Sequence, residues 1–326
     1  MRKKLTYLAW FGGIGLFLAL IFQQGIGEVL VAFASVGWGL LGVALYRFVP
    51  LSVHTLGWYM LLPQPHRQTP SGLFRMRWIC EAVNTLLPVA QVGGELVRAR
   101  LLARSDMRRS VAAASVAADF TLGLLSQLVF TFIGIALLLD RTGSADLVTQ
   151  FALVAMVAAL LVLAFFYLQH RGLFSGGMKL MGVVVRSEQW SALVGSAASL
   201  DNALRDLYRN RGAVARSAFI RLGAWLLGTG ETWIALHLLG APVSFTDALI
   251  IESLGYAARS LGFLVPGALG IMEGAIMLVG TLLGVTPATA LALSLVKRVR
   301  ELAIGAPALL LWARQEARGT KPVTEA

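Results

Sequence analysis

Apolar stretches long enough to cross a bilayer follow one another along this chain, separated by short clusters of basic residues. Residues 5–22, 37–62, 111–139, 147–168, 216–239 and 289–312 each read as a crossing helix, because ~20 apolar residues rising 1.5 Å each span the hydrocarbon. Two stretches break the pattern. Residues 84–100, NTLLPVAQVGGELVRAR, begin as a membrane-grade run and are interrupted by Pro88 and by Gly93 and Gly94. They then place Glu95, Arg98 and Arg100 where lipid-soluble sequence is expected. Residues 261–275, LGFLVPGALGIMEGA, repeat the layout, with Pro266 and Gly270 at the break and Glu273 following Pro266 by the seven positions that separate Glu95 from Pro88.

The flanks decide what these breaks are. Arg75 and Arg77 precede the first, and Arg98 to Arg109 follow it, so both ends belong on the same, cytoplasmic side. From residue 79 to Pro88 a helix covers only ~15 Å, about half the hydrocarbon thickness. A re-entrant hairpin satisfies both constraints, since irregular backbone at that depth is tolerated when protein or a water-filled cavity surrounds it. The second break becomes a hairpin entered from outside, because the tail with Arg314, Arg318 and Lys321 belongs inside. The expected fold is an all-α polytopic membrane protein with about six transmembrane helices plus two re-entrant broken hairpins, in a single integral membrane domain over 1–326. Residues 1–139 and 147–313 read as two halves of an inverted repeat, with matches at Leu86/Leu264, Pro88/Pro266, Ala90/Ala268 and Glu95/Glu273. Within the second half, 170–211 is a cytoplasmic segment, amphipathic over 192–208 and placed on the inner leaflet, and 314–326 is a cytoplasmic tail.

Composition agrees: 57% of residues are hydrophobic and 14% charged, far from a soluble domain. No ~10-residue alternation of the β-barrel kind occurs. The net charge of +11 raises nucleic acid as a partner, but the basic residues flank apolar runs without interleaved stacking aromatics, which excludes it. The MRKK start followed by a long apolar run reads as an uncleaved first helix with its N-terminus inside. Cys80 is the lone cysteine and reads as a small buried hydrophobe; His54, His66, His170 and His237 have no ligand-like spacing, so neither metal nor cofactor is expected. Trp10, Trp38, Trp58, Trp190 and Trp312 read as interfacial anchors. Phosphate-binding loops, HExxH and GxSxG elbows are absent from the sequence.

Charge inside the membrane carries the chemistry. Each charged side chain at bilayer depth costs roughly 2.5–3.5 kcal/mol on insertion scales. Glu81, Asp119, Glu231, Glu252, Arg259, Glu273, Lys297, Arg298, Arg300 and Glu301 all lie in or beside apolar runs and are expected to pair around a polar groove. Glu95 with Arg98, and Arg298 with Glu301, stand three apart and share a helix face. Asp119 follows Pro88, and Lys297 follows Pro266, by thirty-one residues, so equivalent helices carry opposite charges. Candidate substrate contacts are Asn84, Glu95, Arg98, Arg100, Asp119, Arg259, Glu273, Arg298 and Glu301, at the breaks Pro88, Gly93, Gly94, Pro266 and Gly270. The plainer readings are a salt bridge at the membrane edge for Glu95–Arg98, a helix–helix hydrogen bond for Asp119 and ordinary kinks for the prolines.

The run NTLLPVAQVGGELVRARLL, the acidic Asp119, the second break LVPGALGIMEG and the charged last helix resemble the lysylphosphatidylglycerol synthase/flippase transmembrane-region family. Within it, VNTLLPVAQVGGELVRARLL is most similar to the branch associated with hopanoid biosynthesis. The resemblance runs over residues 5–312 and maps the family's signature onto Pro88, Gly94, Glu95 and Arg98, and onto Pro266, Gly270 and Glu273. It implies a bacterial-type inner-membrane protein that moves a lipid between leaflets, with lipid-biosynthesis enzymes as partners. The sequence ends at Ala326 without the synthase domain of lipid-aminoacylating members, so that activity is not carried over. Three functions stay open: a lipid translocator, an intramembrane enzyme using Glu95 or Glu273 as general base, and a scaffold for lipid synthesis. Oligomeric state is not legible.

Overall fold

A computed structural model of the chain describes residue 22 and residues 26–63, 68–87, 93–105, 107–143, 145–170, 197–262 and 265–319. All regular structure among them is helical: α1 Ile26–Ser35, α2 Gly39–Tyr59, α3 Pro70–Leu86, α4 Gly93–Ala103, α5 Arg109–Thr142 and α6 Ala145–His170. Then come α7 Ala197–Arg209, α8 Arg211–Leu238, α9 Phe245–Leu261, α10 Ile271–Leu282 and α11 Pro287–Gly319. The crossing expected over 5–22 lies outside the described residues except for residue 22, and Trp10, His66, Pro88, Trp190 and 320–326 lie outside them too.

Local signals set the helix ends. The Thr69 hydroxyl accepts from the Gly72 N–H at 3.1 Å and Pro70 fills the first position of α3. Asn210 caps α8 through the Ala213 N–H, and Ser244 caps α9 through the Asp247 N–H, both at 3.1 Å. Gly143, left-handed at φ 60°, stops α5.

The helices flanking each break fold back on one another. Between α3 and α4, the Gly94 N–H donates to Asn84 Oδ1 at 2.7 Å, Ile79 and Val83 pack on Leu101, and Leu73 packs with Leu102. Gln68 Nε2 then donates to the Ser105 carbonyl at 2.9 Å, so the partners run antiparallel. A Cβ at Gly94 would overlap the Cys80 carbonyl oxygen, which is why α4 starts on glycine. Between α9 and α10, Gly262 lies against Ile271 and Gly255 against Ile276, again antiparallel. The turn there is a 3₁₀ segment, Pro266–Ala268, with Gly267 at φ 64°, Ala268 at φ 50° and Gly270 at φ 80°. α3 and α9 each have 17 residues, ~25 Å of rise, and so are short for the hydrocarbon.

The two antiparallel pairs meet at their breaks: a Cβ on Gly267 would stand 3.6 Å from the Thr85 carbonyl oxygen. Their open ends point in opposite directions. Arg104 at the end of α4 forms a two-pronged ion pair with Glu316 at the end of α11, at 2.9 and 3.0 Å. At the other end of the bundle, Arg141 of α5 pairs with Asp247 at the start of α9, at 3.1 Å. Exchanging α1–α5 for α7–α11 maps packed pairs onto packed pairs. α3 lies on α11 as α9 lies on α5, α1 on α11 as α7 on α5, α2 on α3 as α8 on α9, and α2 on α8 is its own counterpart.

The bundle is apolar outside and charged inside. Trp38, Val31, Phe219 and Leu161 are 69–91% exposed, whereas Arg98, Asp119, Glu231, Glu273 and Arg300 are at most 2% exposed. A water-soluble protein does the reverse; a lipid-facing surface favours this arrangement. Among the described residues α2 and α5 are long and apolar enough to cross a membrane, while α8 and α11, with 28 and 33 residues, are long enough but carry the buried charges. One expectation changes here. The apolar face of α7, with Leu200, Leu204 and Tyr208, packs on Ala113, Ala114, Ala118 and Leu122 of α5 instead of lying on a leaflet. Residues 171–196 lie outside the described residues.

Candidate functional site

α3, α4, α5 and α8 converge on Asp119. Its carboxylate accepts from Arg77 at 2.5 Å, from Arg98 at 2.6 Å and from Arg221. Arg98 also donates to Glu95, one turn back on α4, at 2.5 Å. The guanidinium of Arg98 sits 4.5 Å from the Trp58 ring centroid and that of Arg77 5.7 Å from it, so the indole face of α2 supplies a cation–π floor. Small residues admit the third arginine: Cβ atoms at Gly57 and Gly123 would stand 3.2 Å from Arg221 Cγ and 2.7 Å from its Nη1. Asp119 is the eleventh residue of α5 and Arg221 the eleventh of α8, so both lie ~15 Å from the basic ends of their helices.

A second group has the opposite sign at its centre. Lys297, eleventh in α11, donates to Glu252 of α9 at 2.7 Å and lies 3.7 Å from Glu231 of α8. Glu231 pairs with Arg300 at 2.9 Å, and the Thr232 hydroxyl donates to Glu252. Beside it, Arg298 donates to Glu273 of α10 at 2.7 Å and to Glu301 at 3.0 Å, and Glu301 accepts from Arg259 of α9 at 2.6 Å. Arg47 of α2 donates to Glu81 of α3 at 2.6 Å. Arg221 and Glu231 stand ten residues apart on α8, which sets the two groups ~15 Å apart along that helix.

Of the candidate contacts, Glu95, Arg98 and Asp119 fall in the first group, and Arg259, Glu273, Arg298 and Glu301 in the second. Asn84 is used up holding the start of α4. Arg100 joins neither: its side chain is 53% exposed and lies 3.5 Å from Glu316. Gly93 and Gly94 open α4, and Pro266 and Gly270 bracket the second turn. Arg77, expected as a cytoplasmic flank, and Arg221, inside the run read as the 216–239 crossing, are interior ligands of Asp119, and Trp58, expected as an interfacial anchor, is fully buried beneath Arg98. The signal for Arg221 was its setting in FIRLGAWLL, with apolar residues on both sides.

Two cavities frame these groups. Between α2, α3 and α11, around Glu81, Thr85, Arg300 and Glu301, the void is only about 10 Å³, too small for a headgroup. Toward the basic end, α2, α5, α7 and α8 enclose a cavity of about 690 Å³.

The family model described as the lysylphosphatidylglycerol synthase TM region matches residues 9–308. A UPF0104 membrane protein of Methanothermobacter thermautotrophicus is 27% identical over 321 residues, covering 92% of this chain and 91% of its own. No solved structure matches.

Proposed function

The chain belongs to the family of the lysylphosphatidylglycerol synthase transmembrane region, and on that premise we propose that it moves a polar-headgroup lipid between the two leaflets of a membrane. One observation carries the reading: two antiparallel helix pairs enter the bundle from opposite ends and meet at Gly267 and Thr85, with ion pairs buried on either side of the meeting point. Buried ion pairs contribute little net stability compared with apolar packing of the same volume. Their presence in two groups along one path favours a headgroup route. Each arginine there can exchange a carboxylate partner for a phosphate or hydroxyl and return to it afterwards. In this reading the transport step is the parting of α3–α4 from α9–α10, which touch at Thr85 and Gly267, with the lipid tails left outside the bundle.

In this reading the two pairs are re-entrant hairpins of an inverted repeat with about six crossings, set in the inner membrane with both termini cytoplasmic. A lipid of the hopanoid class is the first substrate to try, and enzymes of its synthesis the first partners. Fluorescent-lipid exchange in proteoliposomes tests the site: Glu95→Gln and Arg298→Gln should each slow exchange about tenfold or more. Wild-type rates in both would overturn it. Leaflet-resolved lipid analysis of cells with and without the protein separates classes. A redistributed lipid supports translocation, and a new lipid species makes the protein an enzyme.

A further inference from the structure

The interior charges divide unevenly between the parts of the bundle that move in this reading. α11 lies on α3, with Gly305 against Leu86 and the Trp78 indole donating to the Ile304 carbonyl at 2.9 Å. A parting of α9–α10 from α3–α4 therefore carries them away from α11 as well. Three ion pairs cross that boundary: Lys297 to Glu252, Arg298 to Glu273 and Arg259 to Glu301. On one side of it α9 and α10 supply Glu252, Glu273 and Arg259, one negative charge in excess. On the other, α8 and α11 supply Glu231 and Glu301 against Lys297, Arg298 and Arg300, one positive charge in excess. The first pair differs, since α3–α4 sets Arg77 and Arg98 against Glu81 and Glu95 and is neutral by itself. Moving α9–α10 separates one unit of charge in a low-dielectric interior, which is unfavourable; moving α3–α4 separates no net charge.

A proton removes the imbalance. Arginine does not deprotonate in proteins, whereas a buried lysine can give up its proton. Among the described residues every buried cation is an arginine except Lys297. Lys297 donates to Glu252 Oε2 at 2.7 Å, both side chains being buried, and its ammonium lies 5.8 Å from the centroid of the Tyr256 ring. The Thr232 hydroxyl donates to the same carboxylate oxygen. Glu231 of α8 and Arg300 of α11 complete the setting. From α2 the Tyr46 hydroxyl reaches Gly230, next to Glu231, and Arg47 stands neutralised by Glu81 of α3. Transfer along the 2.7 Å bond breaks Nζ–H and makes Oε2–H, leaving an amine on α11 and a carboxylic acid on α9. Both parts are then neutral and can separate without drawing opposite charges apart.

We infer that Lys297 passes one proton to Glu252 in each cycle, which makes the proton a second substrate of this chain. Glu252 releases it on the side to which the parted α9–α10 pair opens, and Lys297 takes one up from the other side before the elements close. The inference rests on the lipid-translocation reading and gives that movement its energy source. Fluorescent-lipid exchange in proteoliposomes, with the membrane potential clamped at zero and a pH gradient imposed, tests it. With one proton moved per lipid, each unit of pH should bias the lipid about tenfold toward one leaflet at steady state. Lys297→Arg keeps the charge but cannot pass the proton, so it should slow exchange about tenfold or more without lowering the melting temperature. Lys297→Met with Glu252→Gln imitates the transferred state and should lose the response to the gradient. Spin labels at Leu278→Cys on α10 and Leu302→Cys on α11, both exposed on the apolar surface, read the parting without transport in a Cys80→Ala background. In detergent the double variant should populate the longer distance and Lys297→Arg should lose it. Exchange indifferent to the gradient, or unaltered by Lys297→Arg, overturns the inference and leaves translocation standing. A chain that exchanges no lipid yet shows both distance shifts sinks the translocation reading and keeps the proton transfer. Equal distances in all three forms overturn the proton transfer.

Discussion

Asp119 is the residue on which most depends, because three guanidinium groups from three helices end on one carboxylate. Removing its charge leaves those cations facing only Glu95 in a buried setting. Asp119→Asn should therefore destabilise the protein by about 3–5 kcal/mol, the range for breaking a buried ion pair from one side. Thermal or denaturant unfolding in detergent measures it. Adding Arg221→Gln should restore part of the loss, since the double variant carries one fewer unpaired cation; a strictly additive pair would contradict the shared-carboxylate geometry. At this scale the sequence was half legible. Glu95–Arg98 and Arg298–Glu301 follow from i,i+3 spacing on a helix. Arg77 and Arg221 do not, because a basic residue near the end of an apolar run is read equally well as a flank, and only packing decides which way it turns. Trp58 was misread for the same reason: an aromatic near a membrane edge and an aromatic under an arginine have the same sequence context.

The broken pairs depend on close approach. Gly94 lets the first turn of α4 lie against the Cys80 carbonyl and the Asn84 side chain. Gly94→Ala should part α3 from α4 and cost about 1–3 kcal/mol, the usual range for overpacking. Gly223→Ala is the control, because nothing lies within 4 Å of that position in α8. It should be neutral or stabilising by up to ~1 kcal/mol through helix propensity. Equal melting temperatures for the two variants would contradict the contact. The layout of these pairs was visible in sequence as two prolines each seven positions before a glutamate. Their mutual contact at Thr85 and Gly267 was not, since nothing in the chain order fixes how two distant turns abut. α7 shows the limit of amphipathicity as a guide. Its apolar face was evident, but whether such a face meets lipid or protein depends on the neighbour, here the alanine-rich start of α5.

Across the whole molecule, ion pairs at the two ends of the bundle record its direction. Hydrogen bonds from Arg104 hold the Glu316 carboxyl below its ordinary range, so this contact persists above that range and is lost as pH falls through the lowered value. Being exposed, it is worth at most about 1 kcal/mol and weakens with salt. Its value is geometric: it places the ends of α4 and α11 together, while Gln68 holds the start of α3 beside Ser105. Arg141 and Ser244 gather at the opposite end, 3.0 Å apart. If the α3–α4 pair is a hairpin entered from the cytoplasm, positions 71 and 105 must face one compartment and position 244 the other. Cys80 is the lone cysteine and is buried, so a Cys80→Ala background gives a silent chain for labelling. In that background Ser71→Cys and Ser105→Cys should react with a membrane-impermeant maleimide only in inside-out vesicles, and Ser244→Cys only in right-side-out vesicles. A split between positions 71 and 105 would contradict the antiparallel packing of α3 on α4 and overturn the hairpin.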